Sequence, residues 1–135
     1  MRALARHVLA EYYGCDPDIL DDPENLTPLL EGAVRAAKAT IIKTVLHQFA
    51  PQGVSGVVVL AESHLAVHTW PEYGYAAVEI FTCGDTTDPE AGHKYLLEKL
   101  EPTSHTVKIL DRGDMDMIEQ AADQEEEEPR MAAQR

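Results

Sequence analysis

The first 110 residues alternate between the hydrophobic spacing typical of strands and the spacing typical of helices. Residues 7–13 form a short apolar run that ends at Gly14 and is followed by turn residues, which predicts a first strand. A helix is predicted to begin after Asp22, because an acid directly before a proline is a common N-terminal signal, and to end near Ala39. Its apolar positions recur at helical spacing: Leu26, Leu29, Leu30, Ala33, Val34 and Ala37.

The rest of the pattern predicts three consecutive strands, a second helix and a final strand. Residues 40–49, 57–70 and 75–82 are rich in β-branched and apolar side chains, and proline and glycine separate these runs. Pro89 is a suitable first residue for a helix, and apolar positions follow it at Ala91, Tyr95, Leu96 and Leu100. Residues 103–110 are typical of a last strand.

The predicted element order is β-α-β-β-β-α-β, in one domain that spans residues 1–110. We therefore expect an α+β fold, a two-layer α/β sandwich in which the helices lie on one face of a mainly antiparallel sheet. Residues 111–135 lose the periodicity and contain four consecutive glutamates. Such a segment buries little apolar surface, so we predict an acidic, disordered tail.

The charge distribution narrows the classes of partner. The net charge is −13, and residues 111–135, with nine acids and three bases, account for −6 of it. A negative surface repels nucleic-acid phosphates and anionic lipids, and the chain has no run of about 18 apolar residues that would cross a bilayer. We predict neither a nucleic-acid partner nor a membrane partner. Cys15 and Cys83 form no CxxC pair and no secretion signal is visible, which favours a cytoplasmic protein.

Side chains suited to chemistry concentrate between residues 55 and 85: Ser55, Ser63, His64, His68, Thr82 and Cys83. The β-branched surroundings favour a strand, in which His64 and His68 stand roughly 13 Å apart, and no third ligand follows, so we predict no metal site. Ser63 lacks the Gly-x-Ser-x-Gly turn of many serine hydrolases. Cys83 fits a thiol nucleophile or a buried structural cysteine. The residue types alone leave these alternatives open.

Two short motifs are more specific than any single residue: Glu62-Ser63-His64 followed by His68, and Phe81-Thr82-Cys83-Gly84. Arg6-His7 and residues 10–16, 53–59, 62–74 and 75–84 extend the pattern over about residues 2–110. Together these segments resemble the bacterial S-adenosylmethionine decarboxylase proenzymes, in their short, pyruvoyl-dependent prokaryotic form.

The resemblance implies that the chain cuts itself between Glu62 and Ser63, giving chains 1–62 and 63–135. Ser63 would become a covalently bound pyruvoyl group that takes the place of pyridoxal phosphate and needs no metal. His68 matches the proton acceptor of processing, and Ser55 matches a second processing residue.

The resemblance also implies how the mature enzyme works. The pyruvoyl carbonyl would form a Schiff base with the amine of S-adenosylmethionine, and Cys83 matches the proton donor of the decarboxylation. The matching substrate-binding residues are Phe49, Leu65, Trp70 and Glu72. The family further implies a homodimer whose active sites take residues such as Phe49 from across the interface, and a product that serves spermidine synthesis.

Three departures from the family pattern leave other readings open: Gln52, Ala61, and Glu79 in place of a commoner aspartate. The same mechanism would serve arginine or ornithine as substrate. A different class of function is an uncut, non-catalytic partner of an active homologue. The presence of Ser63, His68 and Cys83 argues against that class.

Overall fold

The computed structural model describes residues 2–127. The strands are β1 (Ala3–Tyr13), β2 (Ile41–Gln48), β3 (Val54–Leu60), β4 (Ser63–Trp70), β5 (Tyr75–Cys83) and β6 (Ser104–Asp114). The helices are α1 (Pro17–Leu20), α2 (Pro23–Ala36), α3 (Pro89–Leu100) and α4 (Met115–Glu127), with a 3-10 turn at Pro71–Tyr73. The strands form one antiparallel sheet in the order β2-β3-β4-β5-β1-β6.

Alternation along the strands determines which sheet face the helices cover. On β4, Leu65, Val67 and Thr69 are buried, whereas His68 and Trp70 point to the opposite face and are exposed. The helices contribute Leu20, Leu26, Leu30, Ala33, Val34, Leu96 and Leu100 to the core. The predicted two-layer sandwich, with an antiparallel sheet and helices on one face, is confirmed. We call the face that carries His68 and Trp70 the open face.

The predicted strand 57–70 is instead two strands, β3 and β4, which form a hairpin. Leu60 pairs with Ser63, so Ala61 and Glu62 alone make the turn. The sequence contains no glycine, proline, asparagine or aspartate at this turn, and the usual turn signal is therefore missing. The sheet consequently has one strand more than the periodicity predicts.

The expectation of a disordered tail from residue 111 needs correction for residues 111–127. Strand β6 continues to Asp114, which pairs with Ala3, and α4 follows it. Arg2 holds the helix through Asp116 at 3.0 Å and Glu119 at 3.4 Å. The local composition did not reveal this ordered structure, because the residues that hold it, Arg2 and Ala3, lie at the other end of the chain. Residues 128–135 lie outside the described part of the structure.

No helix within residues 2–127 is long and apolar enough to span a bilayer.

Candidate active site

The turn between β3 and β4 carries an unusual backbone conformation at Ser63. Two-residue hairpin loops normally place their positive φ angles on the loop residues. Here Ser63, the first residue of β4, has a φ of 143°, whereas Ala61 and Glu62 are not among the residues with positive φ. A non-glycine residue in such a conformation stores of order 1–3 kcal/mol of strain. The peptide bond between Glu62 and Ser63 therefore lies at a strained point of the chain.

Both ends of Glu62 are held by hydrogen bonds. Its carboxylate accepts from the backbone N–H of Thr40 at 2.9 Å and lies 3.4 Å from the Thr40 hydroxyl. Its backbone carbonyl accepts from the Cys83 N–H at 3.0 Å and from the Cys83 thiol at 3.1 Å. Two donors on one carbonyl oxygen resemble an oxyanion hole, which stabilises the charge that develops during nucleophilic attack.

The Ser63 hydroxyl lies beside an imidazole that a carboxylate holds in place. Ser63 Oγ is 3.1 Å from His64 Nδ1, and His64 Nε2 is 2.8 Å from Glu79 Oε1. Burial alone would raise the pKa of Glu79, but hydrogen bonds from His64 and His7 outweigh it and hold the pKa below its ordinary value. Glu79 is therefore ionised near neutral pH and accepts hydrogen bonds from the two rings. We call Glu62, Ser63, His64, Glu79 and Cys83 the cleavage cluster.

A second group of predicted residues lines a groove of about 270 Å³. Ser55 Oγ and His68 Nδ1 are 2.8 Å apart, and the Trp70 ring stacks on Tyr75 with 5.2 Å between ring centroids. The groove is lined by Phe49, Gln52, Gly53, Ser55, His68, Thr69, Trp70 and Glu72. We call it the aromatic groove.

The structure does not bring the cleavage cluster and the aromatic groove together within one chain. His68 follows Ser63 by five positions on β4, which corresponds to about 16 Å along a strand. Ser63 thus lies near Glu62 and Cys83. His68 lies beside Ser55, its register partner on β3.

Leu65 does not fit a side-chain role in substrate binding. It is fully buried in the core between sheet and helices. The alternation of β4 turns it away from the open face, so only main-chain atoms of Leu65 remain for such a contact.

Sequence reasoning missed the groups that surround Ser63. The sequence pattern singles out His64 as a candidate metal ligand and a motif residue, and Glu79 as a departure from the family pattern, but it assigns neither of them, nor His7, a role beside Ser63. The alternation places each on the open face, but only the strand register shows that they meet. Among residues 2–127, no group of three or more histidine, cysteine or acidic side chains is arranged to hold a metal ion.

The fold and the site define a class: a two-layer α/β protein in which a serine at a strained hairpin lies next to its own preceding, doubly hydrogen-bonded carbonyl. Comparison with known proteins identifies the family. The model of the S-adenosylmethionine decarboxylase family matches residues 6–113. The chain belongs to this family, and the assignment predicted from its motifs is confirmed.

Individual relatives resemble the chain over most of its length. The S-adenosylmethionine decarboxylase proenzyme of Thermosipho africanus is 50% identical over 119 residues, covering 87% of this chain and 91% of the relative. The proenzyme of Moorella thermoacetica is 48% identical over 122 residues, covering 90% and 98%. The crystal structure of the Aquifex aeolicus adenosylmethionine decarboxylase superposes with a TM-score of 0.80 at 41% identity, covering 85% of this chain and 95% of that one.

Proposed function

We propose that this chain is a self-processing, pyruvoyl-dependent decarboxylase of S-adenosylmethionine. Its product, decarboxylated S-adenosylmethionine, would donate aminopropyl groups for spermidine synthesis. The observation that carries the proposal is the Glu62 carbonyl oxygen, which accepts two hydrogen bonds from Cys83 and belongs to the peptide bond that directly precedes the strained Ser63. Family membership and the proenzyme names of the relatives support the same activity.

Self-cleavage begins with an acyl shift at the hairpin. Ser63 Oγ attacks the carbonyl carbon of Glu62 and closes a five-membered ring, while the N–H and S–H of Cys83 stabilise the oxyanion. The ring opens by breaking the peptide bond, so an ester replaces the amide and the strained backbone of Ser63 relaxes. The hydrogen bonds from Thr40 keep Glu62 in place throughout.

The ester then eliminates to complete the cleavage. Residue 63 loses its Cα proton, the Glu62 carboxylate leaves, and the resulting dehydroalanine takes up water and releases ammonia. The products are chain 1–62 and a pyruvoyl-capped chain 63–135. Ser55 and His68 are the proposed processing residues, with His68 as proton acceptor and its Nδ1 held by the Ser55 hydroxyl.

The surroundings of Ser63 fit a pyruvoyl group, because residue 63 is only half-buried and the exposed Cys83 thiol lies 3.1 Å from the carbonyl oxygen of the preceding residue, Glu62. Once formed, this group supplies the electron sink that decarboxylation requires. Cys83 is exposed and is the proposed donor of the proton that replaces carbon dioxide. We propose the cytoplasm as the setting, where both cysteines remain thiols.

The aromatic groove is the proposed site for the adenosyl group. Phe49 and Trp70 are about half exposed and offer ring faces for an adenine. Glu72 offers a carboxylate for the ribose hydroxyls. Arginine and ornithine have no aromatic part that would use these rings, so the groove favours the sulfonium substrate.

We further propose a homodimer with composite active sites. The aromatic groove lies about 16 Å from Ser63 along the same strand, too far for one substrate molecule to bridge with its reacting carbon at the cleavage cluster. Two open faces packed against each other bring the aromatic groove of one copy to the cleavage cluster of the other. Phe49, Ser55 and His68 would then act on the partner's residue 63.

Intact-protein mass spectrometry, followed by carbon dioxide release, tests the proposal. We expect two chains that meet at Glu62 and a pyruvoyl cap on residue 63, with turnover of S-adenosylmethionine and none in the Ser63→Ala variant. Turnover of arginine or ornithine instead would keep the mechanism and change the substrate. A single uncut mass without turnover would contradict the proposal and favour a non-catalytic partner protein.

A further inference from the structure

We propose that His64 is the general base that takes the Ser63 hydroxyl proton, and that Glu79 and His7 position it. This inference rests on the self-cleavage proposed above and assigns one of its steps. Two protons leave residue 63 during processing, one from Oγ and one from Cα. The hydroxyl proton is assigned to His64, which leaves the Cα proton to His68.

The hydrogen bonds determine the tautomer of His64. Glu79 is ionised and only accepts, so His64 Nε2 carries the proton that bonds Glu79 Oε1 at 2.8 Å. A neutral imidazole then has an unprotonated Nδ1, and this nitrogen lies 3.1 Å from Ser63 Oγ. The lone pair of His64 is therefore directed at the hydroxyl proton. Ser63, His64 and Glu79 follow the logic of a catalytic triad.

His7 extends the network and is fixed in the same way. Arg112 can only donate, so its Nη1 donates to His7 Nδ1 at 2.9 Å. His7 Nε2 consequently carries a proton and donates to Glu79 Oε2 at 3.2 Å. The hydrogen bonds that link Arg112 to Ser63 therefore allow a single placement of the ring protons, on Nε2 of both His7 and His64. Each carboxylate oxygen of Glu79 accepts from one imidazole, which prevents the carboxylate from rotating away from His64.

Phe81 holds both rings at their spacing. It pairs in register with His64 on one side and with His7 on the other. The His64 ring stacks on Phe81 at 5.6 Å, and the His7 ring meets it edge-on at 4.9 Å between centroids. His7 is nearly buried, so the network is shielded from water on that side.

The step balances within the chain. His64 Nδ1 takes the hydroxyl proton as Oγ bonds to the Glu62 carbonyl carbon, and the C–N bond breaks as His64 returns that proton to the departing amine of residue 63. No oxidant, metal or added reactant enters. Cys83 stabilises the oxyanion during the step through its N–H and S–H.

The test measures conversion of freshly made full-length chains over time. Samples are quenched in denaturing hydroxylamine, which cuts an ester but leaves a peptide bond. The fraction of cut chains therefore measures the acyl shift, whether or not the ester has already eliminated. We expect His64→Ala to convert about 100-fold or more slowly than wild type, and added imidazole to restore part of the rate. Glu79→Gln, which keeps the side-chain volume, should also slow conversion, because its amide NH₂ cannot accept from an imidazole N–H.

Conservative and matched variants separate positioning from folding. Glu79→Asp keeps the charge and should convert much faster than Glu79→Gln. Glu11→Gln is the control: Glu11 lies on the same face of the sheet as Glu79 but accepts a hydrogen bond from the Tyr75 hydroxyl instead of a histidine ring, so this variant should convert as wild type does. Wild-type conversion rates in both His64→Ala and Glu79→Gln would overturn the inference while self-cleavage stands. A wild-type chain that stays uncut and resists hydroxylamine would overturn the proposed function, and the inference with it.

Discussion

Ser63 combines a strained backbone with a well-placed side chain. Its φ of 143° suits glycine better than any residue with a Cβ atom. Nevertheless the proposed self-cleavage needs a hydroxyl at this position, so we expect glycine to abolish it. The proposed acyl shift would convert the rigid amide into an ester and release that strain, which would lower the free-energy cost of the first step.

Two uncut variants make this strain measurable. We expect the Ser63→Gly precursor to be more stable than the Ser63→Ala precursor by about 1–2 kcal/mol, because only glycine adopts the positive φ without a steric cost. The measurement is the free energy of unfolding by denaturant titration. Ser55 supplies the control: it lies on β3 without positive φ, so Ser55→Ala, made in the Ser63→Ala background, should be more stable than Ser55→Gly there. Equal stabilities of the two Ser63 variants would show that the turn is unstrained.

At the scale of elements, α3 packs closely against both α2 and the sheet. A Cβ atom on Gly92 would lie 3.0 Å from the Ala33 carbonyl oxygen, and one on Gly32 would overlap the Tyr95 hydroxyl. Because α3 lies so close to the sheet, His93 on α3 contacts β1, and its Nδ1 lies 2.7 Å from the buried Tyr12 hydroxyl. Burial, and next the neighbouring His105, lower the pKa of His93. The interface between α3 and β1 therefore requires a neutral imidazole.

This requirement predicts a pH dependence. Since the pKa of His93 is lower in the folded chain than in the unfolded one, its contribution to stability is present above the unfolded value of about 6.5 and is lost as pH falls towards the folded value. In the uncut Ser63→Ala background, the melting temperature should fall less between about pH 7.5 and pH 5.5 when His93→Gln is added. An identical pH slope with and without His93→Gln would contradict the prediction.

At the scale of the whole molecule, the predicted site residues other than Leu65 fall into two groups near the two ends of β4. Ser63 and Cys83 belong to one group, and Ser55 and His68 to the other. Strand β4, which separates them, is hydrogen-bonded to β3 on one side and to β5 on the other, so a movement within the chain does not merge the groups. The proposed homodimer, with two copies packed face to face, would bring one group of each kind together.

Mixed dimers test this arrangement. Ser63→Ala and His68→Ala chains should each fail alone to form a pyruvoyl-capped chain. Co-expressed, they should restore it on the His68→Ala chain, because that chain keeps its own Ser63 and receives His68 from the partner. Mass spectrometry of differently tagged chains measures the cap.

The control pair is Ser63→Ala with Cys83→Ala. Both residues belong to the cleavage cluster of one chain, so co-expression should bring no gain over Cys83→Ala alone. Absence of the cap in Ser63→Ala and His68→Ala mixtures, with mixed dimers present, would mean that the site is not shared between copies.

Much of the fold and part of the site follow from local sequence. Helical spacing predicted α2 and α3, and strand alternation predicted β1, β2, β5 and most of β6, because each pattern reflects one side of an element facing the core. The Glu62-Ser63-His64 motif identified the family. The turn at Ala61-Glu62 was not predicted, because it contains none of the usual turn residues. Helix α4 was not predicted from composition, because Arg2 stabilises it from the far end of the chain.

The sequence by itself determined the periodic elements and the family, and through the family motif it singled out Ser63 as the serine proposed for self-cleavage. The tertiary structure alone decided which groups surround that serine. Cys83 meets the Glu62 carbonyl, and Glu79 meets His64 and His7, through the register of β1, β4 and β5. Register is a property of strand pairs that are distant in sequence, and one shifted residue would turn every side chain to the other face. Spacing along a single strand therefore does not reveal these contacts.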